Sequence, residues 1–300
     1  MRIEIEPGVR LFVDIEGLGH EPEGPLLREK PTLILIHGGP GFDHTAFRPF
    51  FSRFTDLCQV VYFDLRGHGR SDPRPAEEWV LDVFADDVVR LCDALGVIKP
   101  IVLGQSFGGF VAQRYLARHP GHPSKVVLSS TSHHFGLERK IERFGALGGP
   151  DAAAATREFW ENPGPASWAV YEKLCRHLYN TQPKNPNAGG WMIFKPEILF
   201  AHTRGELRGM DLRPGLSQVQ CPVLVLAGEE DPVTPPQDAE EIVAALPAQW
   251  VQFERFAGVG HGPWRDDPEA AERVLRAFLS PRGASVQGVG VASGLPFSTT

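Results

Sequence analysis

The stretch Gly104-Gln105-Ser106-Phe107-Gly108-Gly109 decides the fold, because it places a G-x-S-x-G pattern between two segments of different character. Residues 100–103 form an apolar run that predicts a strand, and residues 110–118 are compatible with a helix. A sharp strand-to-helix turn leaves no room for Cβ atoms around the serine, so it requires Gly104 and Gly108. We therefore predict that Ser106 is a nucleophile held out at the top of a sheet. The alternative is a glycine-rich turn that merely contains a serine, and the flanking segments argue against it.

A serine hydroxyl is a weak nucleophile at neutral pH and needs a base together with a group that orients the base. Residues 223–228 predict a buried parallel strand, and Asp231 lies in the loop that follows it. A second predicted strand, residues 250–256, is followed by the glycine-rich loop that contains His261. Parallel sheets place functional groups at the carboxyl ends of their strands. We predict that His261 is the base and Asp231 the orienting acid.

Alternatives exist for both residues. Asp231 could be a helix N-cap or a turn residue before Pro232, and Glu229 or Glu230 could supply the carboxylate instead. We favour Asp231 because Pro232 makes the loop more rigid. Two other histidines, His133-His134, are expected at the edge of the pocket without a catalytic role.

Acyl transfer also requires hydrogen-bond donors that face the developing oxyanion. The loop His37-Gly38-Gly39-Pro40-Gly41 follows an apolar strand at residues 33–36, and its glycines allow backbone N–H groups to approach a substrate. We predict Gly39 and Phe107 as the two oxyanion donors and assign His37 to substrate binding. A phosphate-binding loop is the alternative, but the stretch has neither the P-loop lysine nor a G-x-G-x-x-G spacing.

The chain resembles α/β-hydrolases of the proline iminopeptidase group. The chain order Ser106, Asp231, His261 is that of α/β-hydrolases. The loop that begins at His37 matches the group's H-G-G-P-G, and Asp64-Leu65-Arg66-Gly67-His68-Gly69-Arg70-Ser71 matches D-x-R-G-x-G-x-S. The resemblance implies an α/β fold, with a mostly parallel central sheet flanked by helices and a helical cap insertion. It also implies an aminopeptidase that releases N-terminal proline through an acyl-enzyme. We expect Asp64 and Arg66 to fix a loop and to have no chemical role.

The chain departs from this group at the elbow and in the cap. Gln105 and Phe107 flank the serine where the group has G-G-S-W-G, which is closer to esterases and lipases. A carboxylesterase or lactonase is therefore the alternative function, and a non-catalytic ligand-binding protein is a remote one. In the group, a W-x-x-W-E stretch supplies a glutamate that holds the substrate's amino terminus. The similar stretch Trp168-Ala169-Val170-Tyr171-Glu172 assigns Trp168 and Glu172 to substrate binding by resemblance.

A simpler interpretation of the same stretch is a buried helix face with a surface ion pair. The apolar residues that recur at helical spacing are Trp168, Tyr171, Leu174, Cys175 and Leu178. Glu172 and Arg176 are four residues apart, as in an exposed ion pair on a helix.

The composition of the chain indicates which partners, cofactors and cellular location to expect. The 300 residues are 42% hydrophobic and carry a net charge of −7, which argues against nucleic acid or an anionic membrane as a partner. We expect a small-molecule or short-peptide substrate, and neither a cofactor nor a metal. Four cysteines lack metal-binding spacing and are expected to be buried free thiols. The chain has no apolar leader, so cytoplasm is the expected location.

The alternation of predicted strands and helices, and its interruption, divide the chain into four parts. We predict the first part of the hydrolase core at residues 1–132, the helical cap at 133–215, the second part of the core at 216–280 and a flexible tail at 281–300. Within the first part, residues 1–16 predict an antiparallel hairpin and residues 21–25 predict a loop.

Overall fold

The computed structural model describes residues 1–182 and 190–280. Strands and helices alternate between residues 32 and 129 and again from residue 223, as predicted. The strands are β1 (Arg2–Glu6), β2 (Val9–Glu16), β3 (His20–Glu23), β4 (Leu26–Glu29), β5 (Thr32–Ile36), β6 (Gln59–Phe63), β7 (Ile101–Gln105), β8 (Lys125–Ser129), β9 (Val223–Gly228) and β10 (Val251–Phe256). The α-helices are α1 (Leu81–Leu95), α2 (Phe107–Arg118), α3 (Leu137–Glu161), α4 (Pro165–Cys175), α5 (Pro196–Arg204), α6 (Arg213–Leu216), α7 (Pro236–Ala245), α8 (Pro263–Asp266) and α9 (Pro268–Leu279).

Eight strands form one twisted sheet in the order β1-β2-β6-β5-β7-β8-β9-β10. β1 pairs with β2 and β2 with β6 in antiparallel fashion, whereas every other pair is parallel. The predicted mostly parallel sheet and the predicted first hairpin are therefore confirmed. The loop predicted at residues 21–25 is wrong, since β3 and β4 pair as a separate two-stranded hairpin on either side of a short turn.

Both faces of the sheet are covered, which explains why the interior positions of its central strands are apolar. In β5, Ile34 and Ile36 face a core that contains residues of α1, α2 and α7. Leu33 and Leu35 face the opposite core, which contains residues of α9 and a group of phenylalanines between positions 47 and 54. Each fully buried side chain of this kind contributes about 1.5–3 kcal/mol, so the two cores hold the strand ends firmly in place.

Between β8 and β9 the chain forms a helical insertion with its own apolar cluster. α3, α4 and α5 lie within the predicted cap, and α3 kinks at Gly149, which has a φ of +75° and precedes Pro150. Phe159, Tyr171 and Leu199 pack together in the insertion's cluster. The predicted tail, 281–300, lies outside the described residues.

Two further expectations concern the whole chain. Cys58, Cys92, Cys175 and Cys221 are buried free thiols, as expected. Among the helices of the described residues, none is long and apolar enough to cross a lipid bilayer.

Candidate active site

Ser106 lies at the turn between β7 and α2, with a φ of +54° and a ψ of −117°. Residues with side chains seldom adopt such angles, so the neighbouring glycines must make room for the turn. A Cβ atom on Gly104 would lie 2.2 Å from the Gly108 carbonyl oxygen, and one on Gly108 would lie 2.1 Å from the Ile36 carbonyl oxygen. The predicted strand–turn–helix geometry is therefore present, and both glycines are required for it.

The His261 side chain is oriented by a buried carboxylate. Its Nδ1–H donates to Oδ2 of Asp231 at 2.8 Å. Asp231 is fully buried, and it also accepts hydrogen bonds from the backbone N–H groups of Val233 and Thr234 and from the Thr234 hydroxyl. These contacts hold the carboxylate in place. Nε2 of His261 has no hydrogen-bond partner among the described residues and could exchange a proton. Glu229 and Glu230 point elsewhere, since they pair with Arg255 and Arg143.

One pocket joins these groups. The empty space within it is about 700 Å³ when the open solvent at its mouth is included. Ser106 and His261 line it together with Gly39 and Gln105 from the core. The side chains that the helical insertion contributes to its wall are Trp160, Trp168, Arg176, Tyr179, Met192 and Leu199. Trp168 is thus at the pocket, as the resemblance implied.

Of the two residues predicted as oxyanion donors, Gly39 lines the pocket and Phe107 directly follows the nucleophile in the chain. Gly39 lines the pocket and has a φ of +142°. Phe107 is the first residue of α2, so its N–H has no acceptor within the helix. The Phe107 side chain is buried against Phe84 and His202, which leaves its backbone as the group that could meet a substrate.

Two residues assigned to substrate binding do not reach the pocket. His37 is fully buried; its Nδ1–H donates to the Gly38 carbonyl, and its Nε2 accepts from the Leu65 N–H. Burial lowers the pKa of His37. Backbone groups occupy both of its ring nitrogens, so the ring holds this loop in place. Glu172 is exposed on α4 and is not among the residues that line the pocket.

The expected position of His133 and His134 is also corrected. Neither lines the pocket, and His133 is buried with its Nε2 against Glu241 at 2.5 Å. His133, His134 and Glu241 have ligand atoms within 4.8 Å of one another, a spacing that could hold a metal ion. However, Glu241 also accepts a hydrogen bond from the Arg139 guanidinium, whose positive charge opposes a cation there.

Asp64 and Arg66 fix loops, as expected. Asp64 accepts hydrogen bonds from the backbone and Nδ1 of His44 and from the Arg70 N–H. Arg66 forms a bidentate ion pair with Asp87 and a further ion pair with Glu78.

The histidine loop is tied to the helical insertion by contacts that the sequence did not indicate. The His261 N–H donates to the Tyr179 carbonyl at 2.6 Å. Asp266 accepts hydrogen bonds from the N–H groups of Gly260, Thr181 and Gln182. A Cβ atom on Gly260 would lie 2.3 Å from the Tyr179 carbonyl oxygen, so the glycine allows this close approach. The insertion therefore helps to position the base.

Known proteins share this fold. A family model described as alpha/beta hydrolase fold matches residues 31–264. A proline iminopeptidase from Pestalotiopsis fici is 37% identical over 267 residues, which cover 78% of this chain and 87% of that protein. A bifunctional esterase/perhydrolase from Acinetobacter calcoaceticus is 27% identical over 285 residues, covering 84% and 92%. The solved structure of a proline iminopeptidase-related protein from Thermus thermophilus has a TM-score of 0.73 at 26% identity and covers 93% of this chain and 96% of its own. The chain therefore belongs to the α/β-hydrolase fold family.

Proposed function

We propose that the protein is a serine hydrolase that cleaves small carboxylic esters or lactones through an acyl-enzyme. One observation carries this proposal: Ser106, on a strained elbow, lines the same pocket as His261, whose Nδ1 is held by buried Asp231. Nucleophile, base and orienting acid are the three parts that covalent acyl transfer requires.

The reaction would proceed in two halves. Ser106 Oγ attacks the carbonyl carbon while Nε2 of His261 takes the hydroxyl proton, and the N–H groups of Gly39 and Phe107 stabilise the oxyanion. The intermediate then expels the alcohol, which receives that proton from His261. Water hydrolyses the acyl-enzyme by the same route and restores the Ser106 hydroxyl.

The pocket favours an ester or lactone over a peptide with a free amino terminus. An ammonium group needs an available carboxylate, and Glu172, the residue assigned to that task, is exposed outside the pocket. Asp43 lines the pocket, but its carboxylate is paired with Arg70 at 2.6 Å. A proline aminopeptidase is the second candidate, because the relative from Pestalotiopsis fici is named a proline iminopeptidase.

Hydrolysis of proline 4-nitroanilide and of 4-nitrophenyl acetate separates the two candidates. We expect the ester to be cleaved and the arylamide to be left intact, with ester cleavage lost in Ser106→Ala. If the arylamide has the higher kcat/KM and Glu172→Gln raises its KM, the aminopeptidase is correct and the ester assignment is wrong.

A further inference from the structure

The pocket beside Ser106 carries uncompensated positive charge. Apart from His261, its charged lining residues are Asp43, Arg176 and Arg265. The Asp43 carboxylate is fully buried and accepts hydrogen bonds from Arg70, from the Ile193 N–H, and from the backbone and hydroxyl of Thr45. Its charge is therefore neutralised within the protein, and only the two arginines remain for a ligand.

Arg176 is held by aromatic rings and not by an acid. Its guanidinium carbon lies 4.5 Å from the centre of the Tyr179 ring and 5.3 Å from that of Phe42. Among the described residues no carboxylate lies within 4.0 Å of the Arg176 guanidinium, and Glu172 on the preceding turn does not pair with it. Stacking of this kind fixes the plane of a guanidinium while its N–H groups stay available.

Arg265 is the second arginine, and it lies on α8, four residues after His261. The neighbouring Asp266 carboxylate is occupied by the backbone N–H groups of Gly260, Thr181 and Gln182. Arg265 has no ion pair in the part of the chain that the structure describes. The sequence of the remaining segments, 183–189 and 281–300, contains no Asp or Glu.

We propose that Arg176 and Arg265 form a carboxylate-binding subsite, so that the natural substrate is an ester or lactone with a second, ionised carboxylate. The proposal rests on the function proposed above. Two like charges that line one pocket repel each other, and a bound anion that contacts both relieves the repulsion. Guanidinium groups suit this role because they bind carboxylates through paired hydrogen bonds. A substrate so anchored would present its scissile carbonyl to Ser106.

Two matched pairs of esters test the subsite, each with an anionic and a neutral member of nearly equal size. The first pair, 4-nitrophenyl hydrogen glutarate and its methyl ester, places the charge in the acyl part. The second pair, 4-acetoxybenzoate and its methyl ester, places the charge in the leaving group. The quantity compared is the preference, which is the kcat/KM of the anionic member divided by that of the neutral member. This ratio does not depend on how much of a variant is folded.

We expect the wild-type protein to prefer the anionic member of at least one pair by about tenfold or more, as charge-assisted hydrogen bonds typically give. Arg176→Gln and Arg265→Gln should each reduce that preference severalfold. Arg273→Gln is the matched control, since Arg273 is exposed on α9 and has no ion pair in the described structure. It removes one positive charge from the surface and should leave the preference unchanged.

Equal kcat/KM for both members of both pairs, or an unchanged preference in both arginine variants, would overturn the subsite while leaving the serine hydrolase intact. If the wild-type protein hydrolysed none of the four esters, that result would instead count against the proposed function. In that case, calorimetric titration of the Ser106→Ala protein with glutarate tests the subsite without catalysis. Binding that weakens about tenfold on adding Arg176→Gln supports the subsite, and absence of binding contradicts it.

Discussion

Ser106 has backbone angles that cost an ordinary residue on the order of 1–3 kcal/mol. Strain of that size persists only where the surroundings impose it, and here β7 and α2 fix the residues on both sides. The conformation directs the serine toward the pocket, and His261 and Gly39 line the same pocket. The strained backbone of Ser106 therefore places its hydroxyl where the proposed nucleophilic attack requires it.

Asp231→Asn should lower kcat by about 10³–10⁴-fold, because an amide would favour the wrong imidazole tautomer of His261. Glu230→Gln is the control, since Glu230 is partly exposed and pairs with Arg143 at 3.2 Å. Steady-state kinetics with 4-nitrophenyl acetate measure both variants. If Glu230→Gln were the damaging change and Asp231→Asn were harmless, the acid would be misassigned.

Single residues also show what the sequence could and could not predict. That Ser106, Asp231 and His261 come together could be predicted, because each follows an apolar strand in a loop of distinctive composition. Arg176 and Arg265 could not be found, because only packing of the insertion on the core brings positions 89 residues apart to one pocket.

At the scale of elements, the elbow depends on how closely α2 approaches β5. The Ile36 carbonyl oxygen of β5 lies 2.1 Å from the place of a Cβ atom on Gly108, and backbone cannot move aside as a flexible side chain can. The predicted need for glycine at this position is therefore a packing requirement between two elements.

Gly108→Ala should destabilise the protein by about 3 kcal/mol or prevent folding, because the added methyl overlaps a backbone oxygen. Gly121→Ala is the matched control, since an added Cβ there has no atom within 4 Å. Urea unfolding followed by circular dichroism gives both free energies of unfolding. Equal stability of the two variants would show that the elbow tolerates a side chain.

One element prediction is wrong, and one residue assigned to substrate binding lies outside the pocket lining. The β3–β4 hairpin is largely exposed, so it lacks the apolar alternation that marks a half-buried strand. On α4, Tyr171 and Cys175 are buried as the helical spacing indicated, and Glu172 falls outside that buried stripe. The resemblance assigned a role to Glu172, but it could not predict which face of α4 points toward the pocket.

At the scale of the whole molecule, three buried histidines couple stability to pH. Burial lowers the pKa of His37 and His68, and it lowers the pKa of His202 to about 4. Both ring nitrogens of His202 lack a hydrogen-bond partner among the described residues, and the ring packs against Phe107. The ordinary pKa of histidine is about 6.5. Between about pH 6.5 and 4, these histidines are therefore protonated in the unfolded chain and remain unprotonated in the folded protein.

Stability should therefore fall as the pH decreases through that window, and His202→Phe should make the fall smaller. Between pH 8 and pH 5, we expect the variant to lose about 2 kcal/mol less than the wild type, because the unfolded variant has one fewer histidine to protonate. Urea unfolding at the two pH values measures the difference. An identical loss in both proteins would mean that His202 is already protonated in the folded state or is not buried.

The most direct test of the serine hydrolase proposal is covalent labelling of the intact protein with a fluorophosphonate, followed by peptide mapping by mass spectrometry. An activated serine in an open pocket should react once per chain, and the added mass should map to Ser106. Ser106→Ala should remain unlabelled while keeping the wild-type melting temperature within a few degrees. Labelling at another serine, or undiminished labelling of Ser106→Ala, would contradict the proposal that Ser106 is the nucleophile.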